Sequence, residues 1–312
     1  MTTGALQPAR GLGRWWIYQR ERFPLLAHAP LIAAFSGAAV CYSAVLRGHG
    51  ATPAPRSFVV AFVTALLFFF QLRVADEVKD ADADARWRPY RPVPRGLVTL
   101  RELTTIGRVA GVVQLALALW LTPRLVPFLL GVWGYMALMR HEFFAREWLQ
   151  GKPVVVILTH MPVMPLIDLY ATACDWVPAS APMASGLRWF LVASFFNGMV
   201  VEVGRKIRAP EAEEAGVETY SVIWGRGRAV VVWVAVMAVA LASAVLAARE
   251  VGSARMVLAV LGAIWVAALI AGSAFVATPT RGRARWIEPL AGIWTLAMYT
   301  AVGIVPVLLR AR

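Results

Sequence analysis

Histidine and cysteine are almost missing from this chain, and acidic residues are few. Two cysteines and four histidines in 312 residues supply neither a disulfide framework nor a cysteine–histidine zinc site. Cys41 falls inside a predicted helix and Cys174 near the outer end of another, so both are read as packing residues. The segment "HEFFAREWL" at 141–149 opens with His-Glu but lacks the second histidine that a zinc-protease helix requires. His160 stands alone in an apolar stretch, where a hydrogen bond between helices is the ordinary role. The "GRGR" at 225–228 has no following glycine and no strand before it, which excludes a dinucleotide-binding turn. Charged residues make up 16% of the chain against 59% hydrophobic, and the mean hydropathy is +0.63. That balance excludes a soluble domain of this length.

What is present is a series of long apolar runs. Stretches of roughly 17 to 25 residues are long enough to cross a bilayer. Nine such stretches are expected, at about 26–46, 57–75, 105–122, 124–142, 154–172, 187–204, 229–248, 255–277 and 288–309. The chain is therefore read as one all-α domain, 1–312, a polytopic membrane helical bundle. The first apolar run starts near Leu25 and is long enough to span, so it is expected to remain as a helix rather than be cleaved as a signal. The net charge of +13 follows the loops. With the N-terminus on the cytoplasmic side, 23 of the 31 Lys and Arg fall on that side, as expected for a protein oriented in the cell membrane by positive loops. The same count places the C-terminus outside and leaves "RGRAR" at 281–285 as an orienting loop rather than a nucleic-acid site.

Two loops depart from this plain pattern. The first, "QLRVADEVKDADADARWRPYRPVPRGLVTL", packs five carboxylates between Asp76 and Asp84 directly at the end of a span. On a continuous helix Asp76, Asp80 and Asp84 drift by only about 40° per step, and Glu77 joins the same stripe. Asp82 is turned away from it. Carboxylates held together repel one another unless a cation sits between them. An oxygen-only donor set points to Mg²⁺, which commonly bridges carboxylates to substrate phosphates. The competing reading is a solvated face whose acids pair with Lys79, Arg86 and Arg88. Ionisable groups at a membrane helix end are costly and are kept for function, which favours the cation site.

"DEVKDADAD" followed by "RPVPRG" resembles the first motif of the UbiA superfamily of membrane prenyltransferases. In that pattern Asp76 stands where the family has Asn, Glu77 where it has Asp, and Asp80 and Asp84 match outright. Arg91, Pro92 and Gly96 match the trailing Arg-Pro-x-x-x-Gly. The resemblance implies nine helices, a cytoplasmic-side site and a second polar loop between helices six and seven. That loop is "FFNGMVVEVGRKIRAPEAEEAGVETYSVIWG", Phe195 to Gly225. Gly216 and Thr219 fit the family's Gly-x-x-Thr element, but its second set of aspartates is absent. Glu202 remains, followed by Arg205, Lys206 and Arg208, with Glu211, Glu213 and Glu214 beyond Pro210. Glu202 and Lys206 sit four apart, so they form either a helical ion pair or a metal ligand beside a diphosphate contact. Asn197, a turn or so earlier, points either to the same cavity or to a neighbouring helix; Asp168 and Asp175 lie near the opposite end and are left out of the site.

The resemblance therefore implies a Mg²⁺-dependent enzyme. Its expected metal ligands are Asp76, Glu77, Asp80, Asp84 and Glu202, and its expected diphosphate contacts are Arg73, Arg91, Arg205, Lys206 and Arg208. Asp80, Asp84, Glu202 and Lys206 are the expected catalytic set, while Arg73 either contacts diphosphate or balances Asp76. The partners implied are a prenyl diphosphate and the lipid bilayer; the sequence names no protein partner. The reaction implied is prenyl transfer from an allylic diphosphate to an aromatic or lipid acceptor. Two alternatives stand beside it: a terpene cyclase of the same fold, which needs no acceptor, and a membrane transporter for a divalent cation.

Overall fold

The computed structural model describes residues 11–48 and 52–310, whose regular elements are all helices, with no strand among them. In chain order the helices are α1 (Gly13–Arg22), α2 (Leu25–Leu46), α3 (Pro55–Lys79), α4 (Ala81–Trp87), α5 (Leu100–Leu121), α6 (Val126–Arg140), α7 (Arg146–Leu149) and α8 (Pro153–His160). They continue as α9 (Val163–Trp176), α10 (Leu187–Gly204), α11 (Tyr220–Ile223), α12 (Arg226–Glu250), α13 (Ala254–Ala277), α14 (Arg281–Ala284), α15 (Ile287–Tyr299) and α16 (Val305–Arg310). Local sequence sets the ends. Helix α3 opens with Pro55, whose missing N–H costs nothing in a first turn. Helix α5 opens with a capping box, in which the Glu102 amide donates to Thr99 Oγ1 at 3.2 Å and the Thr99 amide donates to Glu102 Oε2 at 2.9 Å.

Among the described residues eight helical segments are long and apolar enough to cross a membrane. They correspond to eight of the nine expected spans, with α8 and α9 forming one and the segment 281–310 another. The remaining expected span, 124–142, is the shorter α6 preceded by the 3₁₀ turn Pro123–Leu125. Fifteen α-helical residues rise ~22 Å and the 3₁₀ turn adds ~6 Å, together close to a ~30 Å hydrocarbon core. Contacts at its two ends show that this segment still joins both ends of the bundle. Arg124 donates to Ser180, beyond α9, at 3.3 Å, whereas Glu142, just past α6, pairs with Lys79 at the end of α3. The helix cannot run further because Glu142, Phe143 and Phe144 all take positive φ, a backbone that side-chain-bearing residues adopt rarely.

The described chain therefore traverses the bundle nine times. Helix α1 lies at one end, and Arg310 lies at the other, where it donates to the Val45 carbonyl at 2.9 Å. The interior is filled by Trp233, Trp294, Tyr42, Phe68 and Phe190 and closed by small residues. A Cβ on Gly303 would stand 2.4 Å from the Ala38 carbonyl oxygen, so α2 lies directly on the π-helical turn Thr300–Ile304. The end bearing Arg310 is also tied by a buried ion pair. Arg47 Nε and Nη2 donate to the two oxygens of Asp175 at 2.8 and 2.7 Å, and Ser43 Oγ donates to Oδ2 at 2.7 Å.

Candidate active site

The carboxylate run does not lie on one helix. Helix α3 stops at Lys79, Asp80 occupies the junction with φ −92° and ψ 4°, and α4 starts again at Ala81. The Asp84 amide still donates to the Asp80 carbonyl at 2.8 Å, so Asp76, Asp80 and Asp84 follow one another turn by turn across the junction, but the four carboxylates have different surroundings. Glu77 is 2% exposed and is gripped by Arg22 of α1. Asp84, equally buried, accepts Arg88 at 2.6 Å and Arg91 at 2.7 Å. Asp76 is solvent-exposed with Arg73 at 3.5 Å, and Asp80 has no cation within ion-pair distance among the described residues. The Asp80 amide donates to the Asp76 carbonyl at 2.9 Å, which places these two one helical turn apart. Burial, with Asp76 and Asp84 nearby, holds the Asp80 carboxyl above the usual carboxylate range. Asp82 is exposed on α4.

The segment after α4 is a compact turn built by its own motif. Arg91 reaches back to Asp84, Pro92 is buried, and the Leu97 amide donates to the Pro92 carbonyl at 2.9 Å. Gly96 adopts φ +75°, the left-handed conformation that glycine accepts without strain.

The second polar loop comes to the same end. Glu202 closes α10 and accepts Arg205 Nε at 2.7 Å and Lys206 Nζ at 2.8 Å. The Tyr220 amide donates to the Lys206 carbonyl at 3.1 Å, and the Lys206 ammonium lies 5.3 Å from the Tyr220 ring. Arg208 is 3.6 Å from Glu214. Direct contacts join the loops. Tyr90 donates to Glu214 at 2.8 Å, and Trp87 of α4 covers Gly216 so closely that a Cβ there would stand 2.3 Å from the ring. Gly216 also needs φ +72°. Thr219 caps α11 and donates to Glu213 at 2.8 Å, while the Glu211 carbonyl accepts Arg281. Arg205 and Asp76 lie near enough for each charge to act on the other.

A donor set for a divalent cation is thus narrower than five carboxylates. Among the described residues no three His, Cys, Asp or Glu side chains gather at metal-ligand spacing. Asp80 has no cation within ion-pair distance among the described residues and Asp76 has only the longer contact to Arg73 at 3.5 Å, and Mg²⁺ is commonly held by one or two carboxylates with water and substrate phosphate completing its shell. The pair fits such an ion. Near it lies a cleft of about 600 Å³ whose lining includes Lys79, Arg146, Lys152 and Lys206 together with Glu142 and Glu218.

A family model described as the UbiA prenyltransferase family matches residues 34–296. The chain belongs to the UbiA prenyltransferase family. No curated protein matches its sequence. The fold resembles the apo structure of a UbiA homologue from Aeropyrum pernix K1, with a TM-score of 0.67 at 14% identity over 88% of this chain and 97% of that one. It also resembles a structure described as digeranylgeranylglyceryl phosphate synthase, with a TM-score of 0.55 at 12% identity over 93% and 99%. A UbiA homologue from Archaeoglobus fulgidus bound to DMAPP and Mg²⁺ gives 0.53 at 13% identity over 91% and 98%. At these identities the structures show the shared fold alone.

Within this UbiA-family bundle, sequence reasoning missed the arginine that binds Glu77. Arg22 counts only as an orienting charge when spacing is read along the chain, because its partner is 55 residues away. It also missed the role of Trp87, whose contact with Gly216 fixes one loop against the other. Glu142, dismissed with the incomplete zinc motif, pairs with Lys79 at the rim of the site and stands 3.4 Å from His160. Asn197 accepts from Thr295 at 3.2 Å inside the bundle, and Asp168 accepts from Tyr299 at 2.9 Å.

Proposed function

We propose that the chain transfers a prenyl group from an allylic diphosphate to an aromatic or lipid acceptor, with Mg²⁺, at the end of the bundle where its two polar loops meet. The observation that carries this reading is the convergence there of an open carboxylate pair, Asp76 and Asp80, with the basic residues Arg73, Arg205, Lys206 and Arg208. Asp76 and Asp80 hold the cation. Bound Mg²⁺ would neutralise charge on the diphosphate and so improve pyrophosphate as a leaving group. Arg73, Arg205, Lys206 and Arg208 bind the diphosphate oxygens, with the arginine forks suited to two oxygens at once. The allylic carbon–oxygen bond breaks with its electron pair leaving on pyrophosphate, a new bond forms from the acceptor to the allylic carbon, and the acceptor gives up a proton. The apolar interior excludes water from the allylic cation.

Glu77, Asp84 and Glu202 act as positioning residues in this account. Each already has one or two cation partners, so each fixes an element of the site instead of binding metal. Arg91 acts through Asp84. The site end faces the cytoplasm of the cell membrane, because 23 of the 31 Lys and Arg lie on that side.

Purified protein in lipid, given labelled allylic diphosphates of several lengths with Mg²⁺, tests the proposal. Diphosphate consumption that depends on an added acceptor and is abolished by chelation is expected. Prenyl hydrocarbon formed without an acceptor would move the assignment to cyclisation, and no consumption with any length or acceptor would remove the enzymatic reading.

A further inference from the structure

A second cavity lies on the side of the bundle, at the end that carries the polar loops. It is a groove of about 630 Å³ between α3, α5 and α6, and it opens toward the lipid: Val112 on its wall is 69% exposed. Most of its wall is apolar, formed by Val74, Val78, Leu115, Trp133 and Met136. Its depth comes from two glycines one turn apart on α5. A Cβ on Gly111 would already touch Trp133 at 3.5 Å and Gln71 at 3.6 Å. Gln71 Nε2 donates to the Gly107 carbonyl at 3.0 Å, while Gln71 Oε1 is buried without a partner.

Two arginines stand in this apolar wall. Arg108 lies about 12 Å along α5 from its start at Leu100, at a rise of ~1.5 Å per residue. Arg140 ends α6 and lines the same groove. Both are exposed, and neither has a carboxylate within 4.0 Å among the described residues. A guanidinium on a lipid-facing wall near a membrane helix end is costly unless it meets an anion or reaches water. Basic pockets between membrane helices recognise anionic lipid headgroups.

We infer that this groove binds one anionic phospholipid of the bilayer, its phosphate held by Arg108 and Arg140 and an acyl chain laid along the apolar wall. The charge pair fixes the headgroup chemistry, and the length of apolar wall beside it selects a lipid over a free phosphate.

Native mass spectrometry of the full chain, purified with phosphatidylglycerol or phosphatidylcholine of identical acyl chains, reads the inference directly. Phosphatidylglycerol should be retained preferentially. The Arg108→Gln/Arg140→Gln protein should lose that preference by about 25-fold, roughly fivefold for each charge. Arg108→Lys/Arg140→Lys, which keeps both charges, should retain most of it. Val112→Trp leaves the arginines in place but fills the groove, and should lower retention of both lipids. It decides the matter if the glutamine variant does not fold. Equal retention of the two lipids, undiminished phosphatidylglycerol in the glutamine or Val112→Trp protein, or displacement of the lipid by dimethylallyl diphosphate would overturn the inference. Displacement would give the groove to the substrate.

Discussion

The two ends of the bundle treat buried acids in opposite ways. At the end bearing Arg310, Asp175 has both oxygens satisfied by Arg47 and a further donor in Ser43. At the other end Glu77, Asp84 and Glu202 each hold one or two cations close, but Asp80 has no cation within ion-pair distance among the described residues and Asp76, one turn away, has only the longer contact to Arg73. Matched pairs hold elements in place. An unmatched pair of carboxylates costs energy in the resting protein and is worth keeping only if a cation arrives.

The comparison is broken most severely at the matched end. Arg47→Ala leaves Asp175 buried without its cation and should cost about 3–5 kcal/mol of stability, measured as denaturant resistance in a defined detergent. Turnover per folded molecule should stay near the parent value, because the pair lies across the bundle from the loops. A somewhat smaller loss is expected from Gly216→Ala. The new methyl would meet the Trp87 ring and demand a positive φ, and overpacking of this kind costs roughly 1–3 kcal/mol. Here the loss should be local, seen as faster proteolysis of the two loops and a raised KM for diphosphate.

Much of this was legible in the sequence. Long apolar runs bounded by charged loops mark the spans because the bilayer demands that length, and the spacing of Asp76, Glu77, Asp80 and Asp84 marks a polar cluster at a span's end. The break between α3 and α4 and the different surroundings of the cluster's acids were not legible. Neither proline nor glycine lies between Val78 and Arg88, so nothing local announces that α3 ends at Lys79. The pairings that decide which carboxylates stay free are also non-local. Arg22 meets Glu77 and Tyr90 meets Glu214 across 55 and 124 residues, separations that periodicity cannot bridge. The family resemblance pointed to these two loops, which the fold brings to one end, but treated their acids as equivalent.

Asp82 sharpens the comparison by having the smallest effect. It lies in the same run, yet it is exposed on α4. Asp82→Asn should leave stability within ~0.5 kcal/mol and turnover within twofold. A large loss of turnover would mean that the whole run, rather than one pair in it, carries the charge-dependent chemistry.

The central claim is that Asp76 and Asp80, and not the matched carboxylates, hold the divalent cation. Mn²⁺ binding followed by electron paramagnetic resonance, with a non-hydrolysable allylic diphosphate analogue present, tests it in the full protein. Asp76→Asn/Asp80→Asn should abolish saturable binding. Glu77→Gln and Glu202→Gln should keep it, with affinity reduced by no more than about tenfold, the range expected when a supporting partner is lost. Unchanged binding in the double variant, or its complete loss in a folded Glu202→Gln protein, would contradict the account.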